Sequence, residues 1–243
     1  ADSESGWGIN FAHQGDVIFA TWLTYDLAGK PWWLSMTAVN TGGNTFAGTL
    51  YETRGPAFNA IPFEPGAVTL RAVGLGTLTF RDADSGAFAY VVDGVVQTKV
   101  ITREIFAGPV PVCTFGASPD LAAISNYQDL WWNTPAGSES GWGINLTHQG
   151  DVIFATWFTY NLDRTPLWLS ATLARAAGPT YAGTLYRTTG PAFNATPFNP
   201  ASVAATPVGT AGLTFTDGNN GSFSYTVDGI AQTKSITRQV FGP

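Results

Sequence analysis

Short runs in which apolar and polar residues alternate make up most of the chain, and turn residues separate these runs. In one run Phe223, Tyr225 and Val227 alternate with hydroxyl residues, which is the pattern of a half-buried β-strand. Asp-Gly stands between two such runs at Val92–Val95 and again at Val227–Ile230, and this dipeptide favours a tight β-hairpin. No segment keeps a 3.6-residue period over the length of a helix. The pattern therefore predicts an all-β protein.

One phrase occurs twice along the chain, at the offset of 135 residues that separates Ser3 from Ser138. "SESGWGIN", followed two residues later by "HQGDVIFATW", begins at each of these positions, and "GPAFNA" recurs at Gly55 and Gly190. The offset holds without a gap to the C-terminus. Because solenoid repeats run only about 20–50 residues, each copy here is a complete domain that must bury its own core.

The turn signals divide each copy into about eight strands in up-and-down order. A meander of this size closes as a barrel or packs as a sandwich. We therefore predict two tandem antiparallel up-and-down β-barrels, or two sandwiches. The expected boundaries are residues 1–106 for the first repeat, 107–125 for a linker and 126–243 for the second repeat.

The segment between the copies begins rich in proline, as a linker does. "LWW" at Leu130–Trp132 is too apolar to lie in solvent, so the second unit is expected to begin near Asn126. The first copy's equivalent of Tyr127–Asn133 would precede Ala1. The natural chain is therefore expected to be longer than the sequence given.

Composition narrows the classes of function. Aromatic residues make up 14% of the chain and include nine Trp, more than a core alone requires, while charged residues make up only 12%. The net charge of −6, without basic clusters, argues against nucleic acid or an anionic membrane surface as the main partner. No apolar run approaches the roughly 20 residues of a membrane-spanning helix. Few Lys and many Thr, Gly, Asn and Trp predict an exported bacterial protein, extracellular or at the cell surface.

The last strand of each copy carries polar residues on the face predicted to point inward. In "VVQTKVITREIF" a period of two places Gln97, Lys99 and Arg103 on one face. A buried charge needs a partner, because burying it unpaired is costly. One interpretation is a polar cavity that binds a ligand. The other is that Arg103 closes the barrel end over Trp7 by a cation–π contact while Lys99 reaches solvent. The second copy repeats the set as Gln232, Lys234 and Arg238, with Trp142 in place of Trp7.

Two tryptophans stand on a face that otherwise carries small polar residues. Trp33 precedes Ser35 and Thr37 on its face, and Trp168 has the equivalent neighbours in the second copy. An aromatic ring on such a face is typical of a platform on which a sugar stacks. Trp22 and Trp157 adjoin this platform in one hairpin register. The alternatives are a second packed surface, against the other copy, or an aromatic cross-strand pair.

The long segment "TRGPAFNAIPFEPGAV" contains Phe58 and Phe63 and is punctuated by proline. Long loops without regular structure are often lids or binding loops. Phe58 and Phe63 would serve equally well as a plug in the end of the barrel.

The sequence offers little for catalysis or for metal binding. Asp82–Gly86 resembles the start of a calcium loop but lacks a closing Glu, so a tight turn explains it better. His13 and His148 are the only histidines, and no Ser-His-Asp order, metal-ligand spacing or phosphate loop stands out. Cys113 is the only cysteine and forms no intrachain disulfide. We expect no enzyme activity, no metal and no cofactor.

"NYQDLWWN", "SESGWGIN", "HQGDVIFATW" and "ITRQVF" resemble a module found at the C-terminal ends of exported bacterial proteins, secreted peptidases among them. This resemblance implies an accessory, extracellular and non-catalytic role, and it names no ligand. The pairing of Trp7 with Arg103, and of Trp142 with Arg238, is similar to that of lipocalin- and avidin-like (calycin) barrels. No ligand-binding residue is carried over from those families.

We therefore expect a non-catalytic extracellular binding module, with carbohydrate or cell-surface glycan as the leading ligand class. Two equivalent sites on one chain would give avidity against a repeating target. One alternative is a calycin-like carrier that holds a small apolar molecule inside each barrel, with Gln97, Lys99 and Arg103 fixing its polar end. Another is a protein-binding or peptidase-inhibiting accessory domain that uses loops at one barrel end. No membrane-embedded segment is expected.

Overall fold

The computed structural model describes residues 2–112 and 120–241, which form fifteen β-strands and four single turns of 3-10 helix. The predicted all-β class is confirmed. The 3-10 turns are Asp2–Glu4, Pro65–Ala67, Leu121–Ala123 and Pro200–Ser202. The strands are β1 (Gly8–Gln14), β2 (Val17–Tyr25), β3 (Pro31–Gly42), β4 (Thr45–Arg54), β5 (Thr69–Phe80), β6 (Ser85–Val92), β7 (Val95–Thr102), β8 (Asp129–Asn133), β9 (Gly143–Gln149), β10 (Val152–Tyr160), β11 (Pro166–Ala177), β12 (Thr180–Thr189), β13 (Ala204–Phe215), β14 (Asn220–Val227) and β15 (Ile230–Arg238).

Local turn chemistry determines the two hairpins predicted at Asp-Gly. Asp93 and Asp228 have φ of 46° and 49°, and the glycine after each also has a positive φ. Two consecutive positive φ values characterise the type I′ turn, whose twist matches that of the flanking strands. The residues on either side of each turn pair in register, so both hairpin predictions are confirmed.

The second repeat is a closed antiparallel barrel of eight strands, β8 to β15. The short strand β8 closes it, because it pairs with β9 on one side and with β15 on the other. Trp131 lies opposite Ile144 of β9 and opposite Arg238 of β15. Leu130 and Trp131 are 1% and 0% exposed, which satisfies the burial that their apolar character requires.

The first repeat is a sheet of seven strands, β1 to β7, in which each strand pairs with its neighbours in sequence. No strand in the described part of the chain pairs with the outer edge of β1 or of β7. The prediction of two tandem barrels is therefore confirmed for the second repeat, whereas the first repeat is an open sheet. The physical reason is that no described residue takes the part of β8.

The segment between the repeats is only partly described. Residues 113–119, which include Cys113 and lie within the predicted linker, are outside the described residues. Leu121–Ala123 form a 3-10 turn beside the second barrel, where Ala122 O accepts a hydrogen bond of 2.9 Å from Gly218 N.

The two repeats pack against each other mainly through the outer faces of β2 and β3 in the first repeat and of β10 and β11 in the second. One continuous core joins the inside of the second barrel to this interface, and a second core fills the first repeat. The interface side chains in the joint core come from both repeats: Leu23, Tyr25, Trp33, Phe158, Tyr160 and Trp168.

Contacts between the repeats come in pairs that obey the 135-residue offset. Gln149 Oε1 accepts from Phe106 N at 3.0 Å, and Gln14 Oε1 accepts from Phe241 N at 2.8 Å. The same two phenylalanine rings lie against Phe154 and Phe19. Such reciprocity is the property of an interface between two copies related by a two-fold axis. The chain is therefore folded as a fused, pseudo-symmetric dimer.

Candidate binding site

A lysine inside each repeat is neutralised by a glutamate of the same repeat. Lys99 Nζ lies 2.8 Å from Glu4 Oε2, and Trp7 Nε1 donates to that oxygen at 3.0 Å. The ammonium of Lys99 also lies 5.8 Å from the centroid of the Trp7 ring. The second repeat forms the same cluster from Lys234, Glu139 and Trp142, with an ion pair of 2.6 Å. The inward charges are thus satisfied within the chain, and Lys99 does not extend into solvent.

Arg238 binds β8, the strand that closes the second barrel. Its side chain is 3% exposed, pairs with Asp129 at 3.1 Å and lies 5.1 Å over the ring of Trp131. The cation–π contact predicted with Trp142 is therefore made with Trp131, while Lys234 lies over Trp142. Burial raises the pKa of the Asp129 carboxyl, and the neighbouring guanidinium offsets part of that rise. Arg238 also donates to the backbone carbonyls of Gly218, Gln128 and Asn126.

Arg103 is the equivalent arginine of the first repeat, and its surroundings are different. Its side chain is 36% exposed and pairs with Asp84 at 2.9 Å, and it donates to Ala83 O at 2.9 Å. The prediction that Arg103 contacts Trp7 is wrong, because Lys99 lies over the Trp7 ring instead. Arg103 therefore has the same guanidinium group with which Arg238 binds β8. In the described chain no strand takes the place of β8 beside it.

Gln232 binds the backbone of a loop that comes from the first repeat. Its Nε2 donates to Asn59 O at 2.9 Å, and Tyr225 Oη donates to Phe58 O at 2.8 Å. We name residues 55–63 and 190–198 the mouth loops. The equivalent bonds join Gln97 to Asn194 and Tyr90 to Phe193. The polar groups predicted to fix a bound ligand thus hold the chain's own backbone.

Each mouth loop inserts a phenylalanine into the opposite repeat. Phe58 is 4% exposed, and its ring centroid lies 6.0 Å from that of Trp157 in the second barrel. Phe193 lies 6.0 Å from Trp22 in the first repeat. The interpretation of Phe58 as a plug agrees with the structure in that its ring enters a repeat's interior. It differs in that this interior belongs to the other repeat.

Trp22 and Trp157 are interior residues, each 2% exposed. Trp22 packs edge-on against Phe88 at 5.2 Å, and Trp157 packs in the same way against Phe223. Neither indole Nε1 has a hydrogen-bond partner among the described residues. Neither ring is accessible as part of a sugar platform.

Trp33 and Trp168 lie in the interface between the repeats, where they are 2% and 5% exposed. Trp33 Nε1 donates to Thr159 O at 2.9 Å, and Trp168 Nε1 donates to Thr24 O at 2.8 Å. The expectation that Trp33 and Trp168 form a solvent-exposed platform is therefore wrong, because each ring is covered by the other repeat. The alternative of a surface packed against the other copy is the one that the structure realises.

A glycine makes the crossing of each mouth loop possible. A Cβ added to Gly55 would lie 2.4 Å from the ring of Tyr160, and one added to Gly190 would lie 2.5 Å from the ring of Tyr25. Real Cβ atoms do not approach this closely. The recurring "GP" thus marks the point where the loop passes over an aromatic ring of the other repeat.

The first repeat has an open seam between the edges of β1 and β7. Four apolar residues that face this seam are only partly buried, whereas their equivalents in the second repeat are at most 2% exposed. We define the open seam by these two strand edges together with Ile9, Phe11, Phe80 and Ile101. Their buried equivalents are Ile144, Leu146, Phe215 and Ile236. The difference is the cover that β8 supplies in the second repeat.

The outer faces of the two repeats also differ. Leu75, Val91 and Val96 lie side by side across β5, β6 and β7, exposed by 61%, 40% and 74%. The second repeat has Thr210, Thr226 and Ala231 there, beside an open groove of about 820 Å³. The first repeat therefore presents apolar surface where the second presents hydroxyl groups.

Aromatic rings and the two mouth loops occupy the interiors in which a small-molecule carrier would hold its ligand. No three His, Cys, Asp or Glu side chains of residues 2–112 and 120–241 lie together as a metal site would require. None of the helical turns in the described chain is long and apolar enough to cross a membrane.

Sequence reasoning missed two features of these sites. It did not identify Glu4 as the partner of Lys99, although the recurrence of Glu at the same distance from Trp in both copies was an available signal. It also did not show that each mouth loop enters the opposite repeat, and no signal in the loop sequence indicates that exchange. No protein-family model matches the chain, and comparison with curated proteins and with solved structures likewise finds no match.

Proposed function

We propose that the chain is a non-catalytic accessory module of an exported protein and that it binds a partner protein. The observation that carries this proposal is the apolar patch of Leu75, Val91 and Val96, which lies exposed on the outer face of the first repeat. Contiguous exposed apolar side chains mark surfaces that bind other proteins.

The other two ligand classes find less support. A glycan platform needs an exposed aromatic face, and the four candidate rings are at most 5% exposed. A small-molecule carrier needs an empty interior, and the interior of each repeat contains a phenylalanine from the opposite repeat. Protein binding, by contrast, uses surface that is present and uncovered in the described chain.

A non-catalytic role rests on the sequence, in which no catalytic motif stands out. Export to the extracellular space or the cell surface rests on composition and on the resemblance to C-terminal modules of exported bacterial proteins. Both belong to the proposal.

The test is a selection of random linear peptides displayed on phage against the purified chain, run beside a glycan array. We expect enriched peptides and no glycan hit.

Val96→Lys places a charge in the apolar patch, and the fold should tolerate it because Val96 is 74% exposed. The enriched peptides should lose affinity for this variant. In the matched control Ala231→Lys, at the equivalent exposed position of the second repeat, the patch is intact and binding should persist. Glycan hits without enriched peptides, or peptides indifferent to Val96→Lys, would overturn the proposal.

A further inference from the structure

A cleft between the two repeats lacks the side chain that occupies its counterpart on the other side of the molecule. We infer that this cleft binds an arginine side chain of a partner polypeptide, whose guanidinium group takes the place that Arg164 takes in the counterpart. The inference goes beyond the proposed function, because the residues that line the cleft are not those of the apolar patch.

The cleft lies between a hairpin of the first repeat and the mouth loop of the second. Its volume is about 430 Å³, and Ala28 and Gly29 form one wall. The other wall belongs to the second repeat and consists of Thr189, Gly190, Pro191, Pro197, Asn199 and Ser202. A hydrogen bond of 3.1 Å from Gly190 N to Gly29 O joins the two walls. The cleft is therefore built into the interface between the repeats.

The counterpart of this cleft is occupied by the side chain of Arg164. At the offset of 135 residues, Arg164 and Ala67 correspond to Gly29 and Ser202. Gly55 N donates to Arg164 O, so the backbone bond between the walls is present on this side too. Arg164 Nη2 crosses to the other repeat and donates to Ala67 O at 2.8 Å. The chain itself thus shows that a guanidinium group fits between this hairpin and the opposite 3-10 turn.

The cleft is open because of the residue at position 29. Glycine has no side chain, so Ser202 O lacks the donor that Ala67 O receives. Gly29 and Arg164 have φ of 75° and 69°, so the two hairpins have the same backbone conformation at this point. What occupies the counterpart is a side chain of the hairpin itself and not a further segment of chain. An arginine from outside can therefore supply the missing group.

The polar groups of the cleft suit a guanidinium group. Ser202 O is a backbone carbonyl at the end of a 3-10 turn, and such oxygens accept hydrogen bonds from arginine. The amide oxygen of Asn199 accepts from Ala201 N at 3.1 Å, and it has a second lone pair. None of the described residues that line the cleft is charged, while the net charge of −6 attracts a cation. These properties favour a cation with several N–H donors in one plane, which is the chemistry of arginine.

The experiment is an NMR titration of the isotope-labelled full chain with N-acetyl-arginine N-methylamide. We expect the backbone amide shifts to change at residues 28–29, 189–190 and 199–202, with one site per chain. The lysine analogue should bind about threefold or more weakly, because its ammonium lacks the planar fork of donors. The norleucine analogue has a similar apolar stem without a donor, and it should not bind.

Two variants exchange the two sides of the molecule. Gly29→Arg supplies the guanidinium group from within and should abolish binding. A Cβ at this position would lie 2.8 Å from Gly190 O, so the mouth loop must shift. The wider spacing beside Arg164, where the N–O distance is 3.4 Å, shows that the interface accepts such a shift.

Arg164→Gly is the reciprocal variant and should open the counterpart. Glycine adopts the positive φ of this position without strain, so the variant should fold. We expect it to bind two molecules of the arginine probe, with new shift changes at residues 54–55 and 64–67. This variant decides the question on its own if Gly29→Arg does not fold.

The outcomes are distinct from those of the proposed function. One site in the wild type and two in Arg164→Gly support the inference. Shift changes elsewhere, equal binding of the lysine analogue, or a single site in Arg164→Gly would overturn it. If the arginine probe does not bind while the selected peptides still distinguish Val96→Lys from the wild type, the inference fails and the proposed function stands.

Discussion

At the scale of single residues, the same side chain has different properties in the two repeats because its cover differs. His13 and His148 each place Nε2 3.0 Å from a glycine carbonyl in the following turn. His13 is exposed, whereas Tyr127 stacks on His148 and donates its N–H to Nδ1. Burial lowers the pKa of His148, and the charge of Arg175 adds to this. His148 is therefore a neutral imidazole whose Nδ1 accepts a hydrogen bond.

This state predicts that the protein loses stability as the pH falls below about 6.5, the usual pKa of histidine. In the folded protein His148 binds a proton only at a lower pH than in the unfolded protein. The stabilisation is therefore complete above about pH 6.5 and is lost as the pH falls to the pKa of His148 in the folded protein. Urea unfolding at a series of pH values measures it. His148→Gln should flatten this part of the profile, and His13→Gln should leave it in place. An unchanged profile in His148→Gln would contradict the assignment.

At the scale of elements, the mouth loops are the parts that join the repeats. Each loop leaves its own sheet, passes over a tyrosine of the other repeat and inserts a phenylalanine among that repeat's interior rings. Its backbone is then held by the glutamine and tyrosine of the receiving repeat. A substitution in a mouth loop should therefore act mainly on the repeat to which the loop does not belong.

Phe58→Ala provides that test. Removing a buried phenylalanine typically costs about 3–5 kcal/mol of unfolding free energy. Hydrogen–deuterium exchange should show a larger loss of protection in β14 and β15, which lie beside the cavity, than in β6 and β7. Ile61→Ala, in the same loop but with a residue that is 83% exposed, should change stability by no more than about 0.5 kcal/mol. Loss of protection in β6 and β7 alone would show that the loop serves its own repeat.

Particular residues show which elements local pattern could predict. Asp93-Gly94 determines its hairpin through backbone geometry that depends on two neighbouring residues, and the prediction there is confirmed. Alternation leaves Trp33 open between a sugar platform and a surface packed against the other copy, because alternation shows the side of a strand and not what covers that side. Nothing in "GPAFNA" indicates which barrel its phenylalanine enters, since that choice depends on where the second copy lies. The closed barrel followed from local signals, and the exchange between repeats did not.

At the scale of the whole molecule, the two repeats share one buried interface and exchange their plugs. Neither core is complete without side chains from the other repeat. A cooperative unit is a set of elements that lose their packing together, so the described chain should behave as one unit rather than two.

Trp168→Ala tests this cooperativity. Loss of a buried tryptophan costs about 3–5 kcal/mol, and the change also leaves Thr24 O without its donor. Denaturant unfolding followed by tryptophan fluorescence and by circular dichroism should show one coincident transition, shifted to lower denaturant. Ser170→Ala, on the same strand, is the control with little expected shift. Two separated transitions, or a wild-type midpoint in Trp168→Ala, would contradict a shared core.

The contrast between the outer faces has a consequence for how this chain can change over generations. In a dimer of identical subunits, one altered codon alters both copies, so a patch suited to one partner appears twice. Here the two copies are encoded separately. Leu75, Val91 and Val96 can stay apolar while Thr210, Thr226 and Ala231 stay small, because a mutation in one half leaves the other half untouched. Fusion thus keeps the mutual support of a dimer and allows each half to acquire a partner of its own.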